Sequence, residues 1–140
     1  MESATEMKIL EEDSKTGKEE YDRACSELWF ALRKWMEFML IMFSPQIDFS
    51  RLAEQMTGRQ FAPGKFNRVE SKKDYKTRNA GRSPDEADTM TLLVHVVRVS
   101  FGVIPSMNLS KGATSENFEF VEPVSKSMVS LANRLDPDLD

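Results

Sequence analysis

Residues 81–88 read GRSPDEAD, and they decide how the rest of this chain is interpreted because they combine several helix-start signals. Ser83 is a preferred N-cap residue, Pro84 suits the first helical position, and Glu86 completes a capping box with Ser83. The pattern therefore predicts a helix that runs to about residue 98. Its apolar residues cover most of the circumference, which predicts a helix buried in the core. The remaining polar strip consists of Asp88, Thr91, His95 and Arg98.

Asp85 and Asp88 are the residues of this helix that could form a functional site. A spacing of three residues places them on one helical face, about 4.5 Å apart along the axis. Two carboxylates so placed suit Mg²⁺ or Mn²⁺, which prefer oxygen ligands and support phosphodiester hydrolysis. Asp85 also fits the general preference for acids at a helix start. Asp88 is expected beyond the first turn beside a buried face, where a carboxylate needs a cation or donors. His95 lies roughly 10 Å further on and is expected at the edge of the core rather than as a ligand.

A basic segment precedes these two acids. Residues 59–82 carry eight Lys and Arg side chains against Glu70 and Asp74, a balance of +6 within a chain whose formal charge is -4. Cations beside metal-binding carboxylates would hold phosphates, whereas a solvated surface loop would show the same composition. Tyr75, inside this run, could stack on a base or pack in the core. The basic residues are Arg59, Lys65, Arg68, Lys72, Lys73, Lys76, Arg78 and Arg82.

Bulk properties narrow the class of protein. A length of 140 residues and 40% hydrophobic content predict a single domain. The acidic balance excludes a general nucleic-acid coat, so any contact with DNA must be local. Cys25, the single cysteine, excludes a disulfide scaffold or a cysteine-based zinc finger, and its helical spacing predicts a small core residue. The longest apolar run, residues 38–43, is too short to span a bilayer, which predicts a soluble protein.

The remaining elements follow from periodicity and turn signals. Residues 19–43 show a helical pattern in which Trp35 and Met39 belong to the core stripe, while Trp29 and Phe30 form a second packing surface. A short helix is predicted over residues 47–56, a strand over 65–70, and a turn through Tyr75 capped by Ser71. Further along, the patterns predict a strand at residues 118–121 and a helix at 125–135.

Three ordered blocks together resemble the end of the nuclease domain of phage terminase large subunits. They are residues 21–35 (YDRACSELWFALRKW), residues 68–78 (RVESKKDYKTR) and residues 81–88 (GRSPDEAD). The resemblance spans roughly residues 21–98. It implies α/β parentage in an RNase H-like nuclease fold, represented here by a mainly helical C-terminal fragment with one or two short strands. Residues 1–20 would form an acidic extension, residues 21–100 the nuclease-like segment, and residues 101–140 a tail of unknown role.

The resemblance also implies a role for individual residues. Asp85 and Asp88 would be catalytic metal ligands for Mg²⁺ or Mn²⁺, and the partner would be concatemeric double-stranded DNA, cut during packaging. The family's other catalytic acids lie on earlier strands and its ATPase domain lies further upstream, so another part of the terminase, the small subunit and the portal are implied partners. The implied compartment is the host cytoplasm, with no membrane contact. The DNA-binding candidates are Arg68, Lys72, Lys73, Lys76, Arg78 and Arg82.

Two other interpretations remain open at this point. RuvC-type resolvases are related in fold and use a similar pair of acids at a helix start, so this chain could be a resolvase fragment that prefers branched DNA. It could also be a non-catalytic DNA-binding or assembly module that retains the basic segment. No phosphate-binding loop of the NTPase type occurs in the sequence.

Overall fold

The computed structural model describes residues 2–112, and in this part of the chain the protein is mainly helical with one short antiparallel ribbon. The predictions for residues 118–121 and 125–135 lie outside the described residues. The chain divides into two units after Ser110, and the elements before that residue belong to the first unit. These elements are α1 (Gly17–Glu20), α2 (Ala24–Glu37), α3 (Ser50–Gly58), β1 (Phe61–Ala62), β2 (Arg68–Val69), α4 (Lys72–Arg78) and α5 (Asp85–Phe101), followed by a 3-10 helix (Leu109–Gly112).

Helix α2 confirms the expected core stripe but ends six residues before the predicted boundary. Trp35 is buried, and its indole N–H donates to the carbonyl of Ile9 at 3.3 Å. Met39 has a positive φ of 54°, which a helix cannot continue through, and its side chain is 73% exposed. The prediction of helix through residue 43 with Met39 in the core was therefore wrong. Trp29 does pack in a second cluster, as expected, with Leu52 of α3.

The start of α5 is capped by a distant residue rather than by Ser83. Gln55 of α3 accepts a hydrogen bond from the Ala87 N–H at 2.9 Å, and its amide also donates to Glu86. The Ser83 hydroxyl instead donates to Asp85 at 2.6 Å, and Pro84 stands at the helix boundary without a side-chain cap. The predicted Ser83 capping box was therefore wrong. Gln55 caps the N-terminus of α5 instead, because it accepts a hydrogen bond from a backbone N–H of the first turn that has no partner within the helix.

The buried face of α5 agrees with the predicted one only in part, because Ala87 and Val94 are buried as expected but share that face with polar residues. Its buried residues are Ala87, Thr91, Val94 and Arg98, so two of the four residues of the polar strip face the interior. The prediction of a helix buried in the core was therefore wrong for the apolar residues outside this face, which are exposed. Contacts with α2 and α3 fix this orientation, because Arg98 pairs with Glu27 of α2 and the Ala87 N–H donates to Gln55 of α3. The apolar outer face of α5 is at least 37% exposed at every position, and we define it as Leu92, Leu93, Val96, Val97, Val99 and Phe101.

The acidic N-terminal segment is part of the core. Ala4, Ile9 and Leu10 are buried and pack against α2 and Val94 of α5. The backbone N–H of Glu11 donates to the Pro105 carbonyl at 3.0 Å, which joins this segment to the chain after α5. Residues 2–20 are therefore an integral layer of the first unit and not a loose extension.

The ribbon and α4 place the basic segment beside the start of α5. β1 and β2 pair antiparallel, with Phe61 opposite Val69. Ser71 caps α4 as predicted by accepting from the Asp74 N–H at 3.0 Å, and Tyr75 is buried in the core. Within the described residues, no helix has the length and apolarity that a membrane crossing requires.

Candidate functional site

Asp85 and Asp88 converge on a single cationic atom. The ammonium nitrogen of Lys72, the first residue of α4, lies 3.1 Å from Asp85 Oδ1 and 3.0 Å from Asp88 Oδ2. The Asp85 side chain is 71% exposed, whereas that of Asp88 is 28% exposed. The two carboxylates therefore share one side of the α5 start, as the spacing predicted, and both can contact the same positive charge.

Arg59 holds the other oxygen of Asp88 from inside the protein. Its Nη1 donates to Asp88 Oδ1 at 3.2 Å, and its side chain is only 3% exposed. The guanidinium also donates to the Glu70 carbonyl and stacks over the Trp29 ring at 4.5 Å. Asp88 is thus positioned by a buried cation that is itself fixed on three sides. The sequence placed Arg59 in the basic segment, but nothing in it indicated that this arginine would be buried.

The helix start explains part of the electrostatics. Asp88 belongs to the first turn of α5 and not beyond it, so the macrodipole favours its charge as well as that of Asp85. Hydrogen bonds from Ser83 and Lys72 lower the pKa of Asp85. Hydrogen bonds to Asp88 and Asp85 raise the pKa of Lys72. Both directions favour the charged forms of Asp85 and Lys72.

The predicted DNA-binding residues divide into two groups. Lys72 is paired with the acids, and Arg78 is paired with Glu70 and donates to the Gly58 carbonyl at 2.9 Å. Arg68, Lys73, Lys76 and Arg82 are exposed. Lys73 and Lys76 border a shallow depression of about 560 Å³ on the surface of α4. The structure therefore leaves only part of the basic segment available to phosphates.

A larger cleft opens beside Asp88. It has a volume of about 620 Å³, and its walls include Cys25, Leu28, Trp29, Arg59, Lys72 and Asp88. Cys25 is half-buried at this wall, 3.8 Å from Arg59 Nη2, rather than fully in the core. The surface of the cleft is mostly apolar and its lining includes several charged side chains, a composition typical of ligand sites.

The carboxylates of Asp85 and Asp88 supply some, but not all, of the ligands that a hard divalent cation needs. Asp85 and Asp88 offer carboxylate oxygens that already meet one cation, which is the chemistry Mg²⁺ and Mn²⁺ require. Among residues 2–112 no group of three or more acidic, His or Cys side chains gathers at one point. Two ligands from one helix can hold such an ion only together with oxygens from elsewhere. His95 is half-buried with its Nδ1 enclosed, in keeping with an edge-of-core residue.

Comparison with protein-family models, with curated proteins and with solved structures gives no match to this chain.

Proposed function

We propose that this chain contributes the last metal-binding acids of a terminase-type nuclease, an RNase H-like enzyme that cuts concatemeric double-stranded DNA during viral packaging. The observation that carries the proposal is the convergence of Asp85 and Asp88 on one cation at 3.1 and 3.0 Å. The resemblance of residues 21–98 to the end of that nuclease domain supplies the class of enzyme. The α/β parentage of the fold belongs to the same proposal.

The residues of this chain would divide the work between them. Asp85 and Asp88 would hold Mg²⁺ or Mn²⁺, which when bound supplies Lewis-acid stabilisation of the leaving oxygen and a more acidic water. Arg59 would orient Asp88 by fixing Oδ1, so that Oδ2 faces the cation. Lys73, Lys76 and Arg82 would hold the phosphate backbone close to the acids. The other ligands would come from outside residues 2–112, with the small subunit and the portal as further partners in the host cytoplasm.

A specific observation favours a second candidate. Both oxygens of Asp88 are already paired, one with Arg59 and one with Lys72, so its charge is compensated without metal. A non-catalytic DNA-binding or assembly module would need no more than this. In that case DNA binding would be independent of divalent cations, and Asp88 would serve only to connect α5 to α4 and Arg59.

Two measurements test the proposal: Mn²⁺ binding tests the metal site, and DNA cleavage tests the enzyme class. Titration of the full chain with Mn²⁺, followed by paramagnetic broadening of NMR signals, should place the broadened amides at the start of α5. Asp88→Asn should weaken this binding strongly and Asp85→Asn more variably, whereas the matched control Asp74→Asn, a helix-start acid of α4, should leave it unchanged. Equal affinity of Asp88→Asn and wild type for Mn²⁺ would show that Asp88 is not a metal ligand.

Cleavage then distinguishes the enzyme classes. The chain should be co-expressed with proteins encoded beside it, and the complex assayed with Mn²⁺ on linear duplex and on four-way junction DNA. Cutting of linear duplex supports the terminase-type nuclease, whereas preference for the junction supports the resolvase alternative. A complex that binds DNA without cations and cuts neither substrate supports the non-catalytic module.

A further inference from the structure

Two phenylalanine rings are exposed on the ribbon formed by β1 and β2. Phe61 of β1 is 52% exposed, and Phe66, in the connection between the strands, is 39% exposed. Because only five residues separate them, their Cα atoms lie within about 18 Å of each other. Each ring has a cation over it, with Arg33 Cζ at 5.2 Å and Lys65 Nζ at 5.5 Å from the respective ring centroid. Proteins combine exposed rings and cations in this way to hold unpaired nucleotides.

The cations beside these rings have no acidic partner among residues 2–112. Arg33, Lys65 and Arg68 are exposed, and none of them forms an ion pair with a described residue. Residues 61–68 contain no Asp or Glu, although the whole chain carries a formal charge of -4. Their charges are therefore available to an anionic ligand such as a phosphate backbone.

Two acids that contact the ribbon are themselves neutralised. Glu70, which follows β2, is paired with Arg78 of α4. Glu20 lies 4.0 Å from the ammonium nitrogen of Lys34 and accepts from the Asn67 side chain at 3.5 Å. These carboxylates therefore offset little of the positive charge on the ribbon.

The ring of Phe61 is held in place although half of it is exposed. It meets the edge of Phe30 at a centroid distance of 5.7 Å, and Phe30 stacks on the buried Tyr21 at 5.0 Å. The second strand is joined to the same region, because the Asn67 N–H donates to the Glu20 carbonyl at 2.8 Å. A ring that is already fixed loses little freedom when a ligand stacks on it, which favours binding.

Phe61 also stands between two depressions. One, of about 320 Å³, is bordered by Arg33 and has Trp29 and Met56 in its wall. The other, of about 270 Å³, is bordered by Arg68. A flat base can thus pack beside Phe61 while a guanidinium on either side meets the adjoining phosphates.

We propose that the ribbon binds single-stranded DNA, whose unpaired bases stack on the two rings while its phosphates contact the three cations. Single strands are the fitting ligand because their bases offer free faces, whereas the bases of a duplex already stack on each other. The choice of DNA as the polymer rests on the proposed function, but the two acids of α5 take no part in this surface. We call it the aromatic ribbon and define it as Arg33, Phe61, Lys65, Phe66 and Arg68.

The first test removes one ring and keeps its apolar character. Phe61→Leu should weaken binding of a short labelled oligo(dT) by about tenfold, whereas Phe61→Tyr, which keeps the ring, should stay within about twofold of wild type. Phe101→Leu is the matched control, since Phe101 is 74% exposed and no described cation lies over its ring. Fluorescence anisotropy of the full chain measures these affinities, and far-UV circular dichroism verifies that each variant is folded. Affinity for a duplex of the same length should be unchanged in Phe61→Leu.

The second test removes charge and does not disturb the core. Arg33→Gln/Arg68→Gln should weaken oligo(dT) binding and reduce the slope of log affinity against log salt by about 1.4, because two contacts with a single strand are lost. Lys15→Gln/Lys18→Gln removes the same charge from exposed positions of the N-terminal segment and should leave the slope unchanged.

Several results would overturn the inference. They are the absence of oligo(dT) binding, an unchanged affinity in both Phe61→Leu and Arg33→Gln/Arg68→Gln, or an equal loss in Phe101→Leu. Tighter binding of oligo(rU) than of oligo(dT) would overturn the assignment to DNA. Failure of the nuclease proposal is a separate result. If the ribbon variants lose oligo(dT) but no completed complex cuts DNA, the aromatic ribbon stands and the nuclease fails. If such a complex cuts duplex DNA in an Asp88-dependent way but the ribbon variants bind oligo(dT) like wild type, the reverse holds.

Discussion

Arg98 of α5 donates to Glu27 of α2 at 2.8 Å, and both side chains are almost fully buried, with exposures of 0% and 1%. Glu27 also accepts from the backbone N–H and the hydroxyl of Thr5, at 2.6 and 2.5 Å. One carboxylate thus ties the N-terminal segment, α2 and α5 together. This contact places Arg98 on the buried face of α5, opposite the exposed apolar outer face.

Loss of one partner of this pair should be costly. Glu27→Gln leaves the Arg98 charge buried without an acid, which should lower the free energy of unfolding by about 3–5 kcal/mol. Arg98→Met leaves the Glu27 carboxylate buried without a cation, with only the two hydrogen bonds from Thr5 to compensate it, and should also destabilise the fold. The double variant Glu27→Gln/Arg98→Met should cost less than the sum of the two, because neither charge remains. Urea unfolding of all four proteins measures the coupling, and additive effects would mean that the pair contributes nothing of its own.

Gly17 should resist substitution for a related reason. A methyl group at this position would overlap the carboxylate of Glu27, which has no room to withdraw. Gly17→Ala should therefore lower the free energy of unfolding by about 1–3 kcal/mol despite the better helix propensity of alanine. Gly64→Ala is the matched control, since its nearest neighbour is the Phe66 carbonyl at 3.6 Å. Equal stability of the two variants in thermal unfolding would contradict the close approach.

Contacts between distant parts of the chain determine the features that the sequence did not predict. The prediction of a short helix near α3, of the Ser71 cap and of a buried Trp35 succeeded because each rests on neighbours within one or two turns. The position of α5 was predicted correctly, but only Ala87 and Val94 of its buried face were among the residues expected in the core. When apolar residues surround a helix, periodicity does not select a side, and the choice depends here on a partner 71 positions away.

The cluster around Asp85 and Asp88 was also predictable only where it depends on neighbours in the sequence. Spacing alone placed Asp85 and Asp88 on one face, and their convergence follows from it. Which cations meet them depended on the ribbon, which returns Arg59 to α5, and on α4, which presents Lys72. The net positive charge of residues 59–82 does not distinguish these paired cations from the exposed Lys73 and Lys76. Gln55 as the cap of α5 gave no local signal either.

The Glu70 carboxylate should make the fold sensitive to acid. Burial alone would raise its pKa, but hydrogen bonds from Arg78 and from the Gln60 N–H outweigh burial and lower the pKa below its ordinary value. Such a group stabilises the folded state above its unfolded pKa, and the contribution is lost as the pH falls through the folded pKa. The free energy of unfolding should therefore decline as the pH drops below about 4.5.

Glu70→Gln tests this dependence. The variant should be less stable than wild type at pH 7, and the difference should shrink as the pH falls below 4.5, because wild type then loses the same ion pair. Glu54→Gln, an exposed acid of α3 without a described ion pair, is the control and should parallel wild type. The measurement is urea unfolding across the pH series. A constant difference between Glu70→Gln and wild type would rule out the linkage.

The outer face of α5 should promote association. Leu93 is 55% exposed and Val96 is 48% exposed, within a continuous apolar surface of the kind that marks interaction sites. Sedimentation velocity should show concentration-dependent self-association of the chain. Leu93→Gln/Val96→Gln should shift it towards monomer, whereas Thr89→Gln on the same helix should not. A wild-type chain that is monomeric at every concentration would contradict this expectation.

Binding of DNA should depend on the exposed lysines of α4 rather than on all of the basic segment. Lys73 and Lys76 face solvent, while Arg78 is engaged by Glu70 and Lys72 by the two acids. Contacts with phosphates release counterions, so binding to duplex DNA should be independent of sequence and should weaken steeply with salt. Lys73→Ala/Lys76→Ala should reduce the affinity for all sequences alike and lower the slope of log affinity against log salt by about 2.

The control for this measurement must remove the same charge elsewhere. Lys15→Ala/Lys18→Ala does so at exposed positions of the N-terminal segment and should leave the salt slope unchanged. Arg78→Ala should act differently, because it strands Glu70 and reduces stability before it affects DNA. Fluorescence anisotropy with a short labelled duplex, measured over a series of salt concentrations, separates these effects. If Lys15→Ala/Lys18→Ala lowers the salt slope as much as Lys73→Ala/Lys76→Ala does, DNA affinity depends only on the net charge of the protein. If binding persists unchanged at high salt, α4 has no part in it.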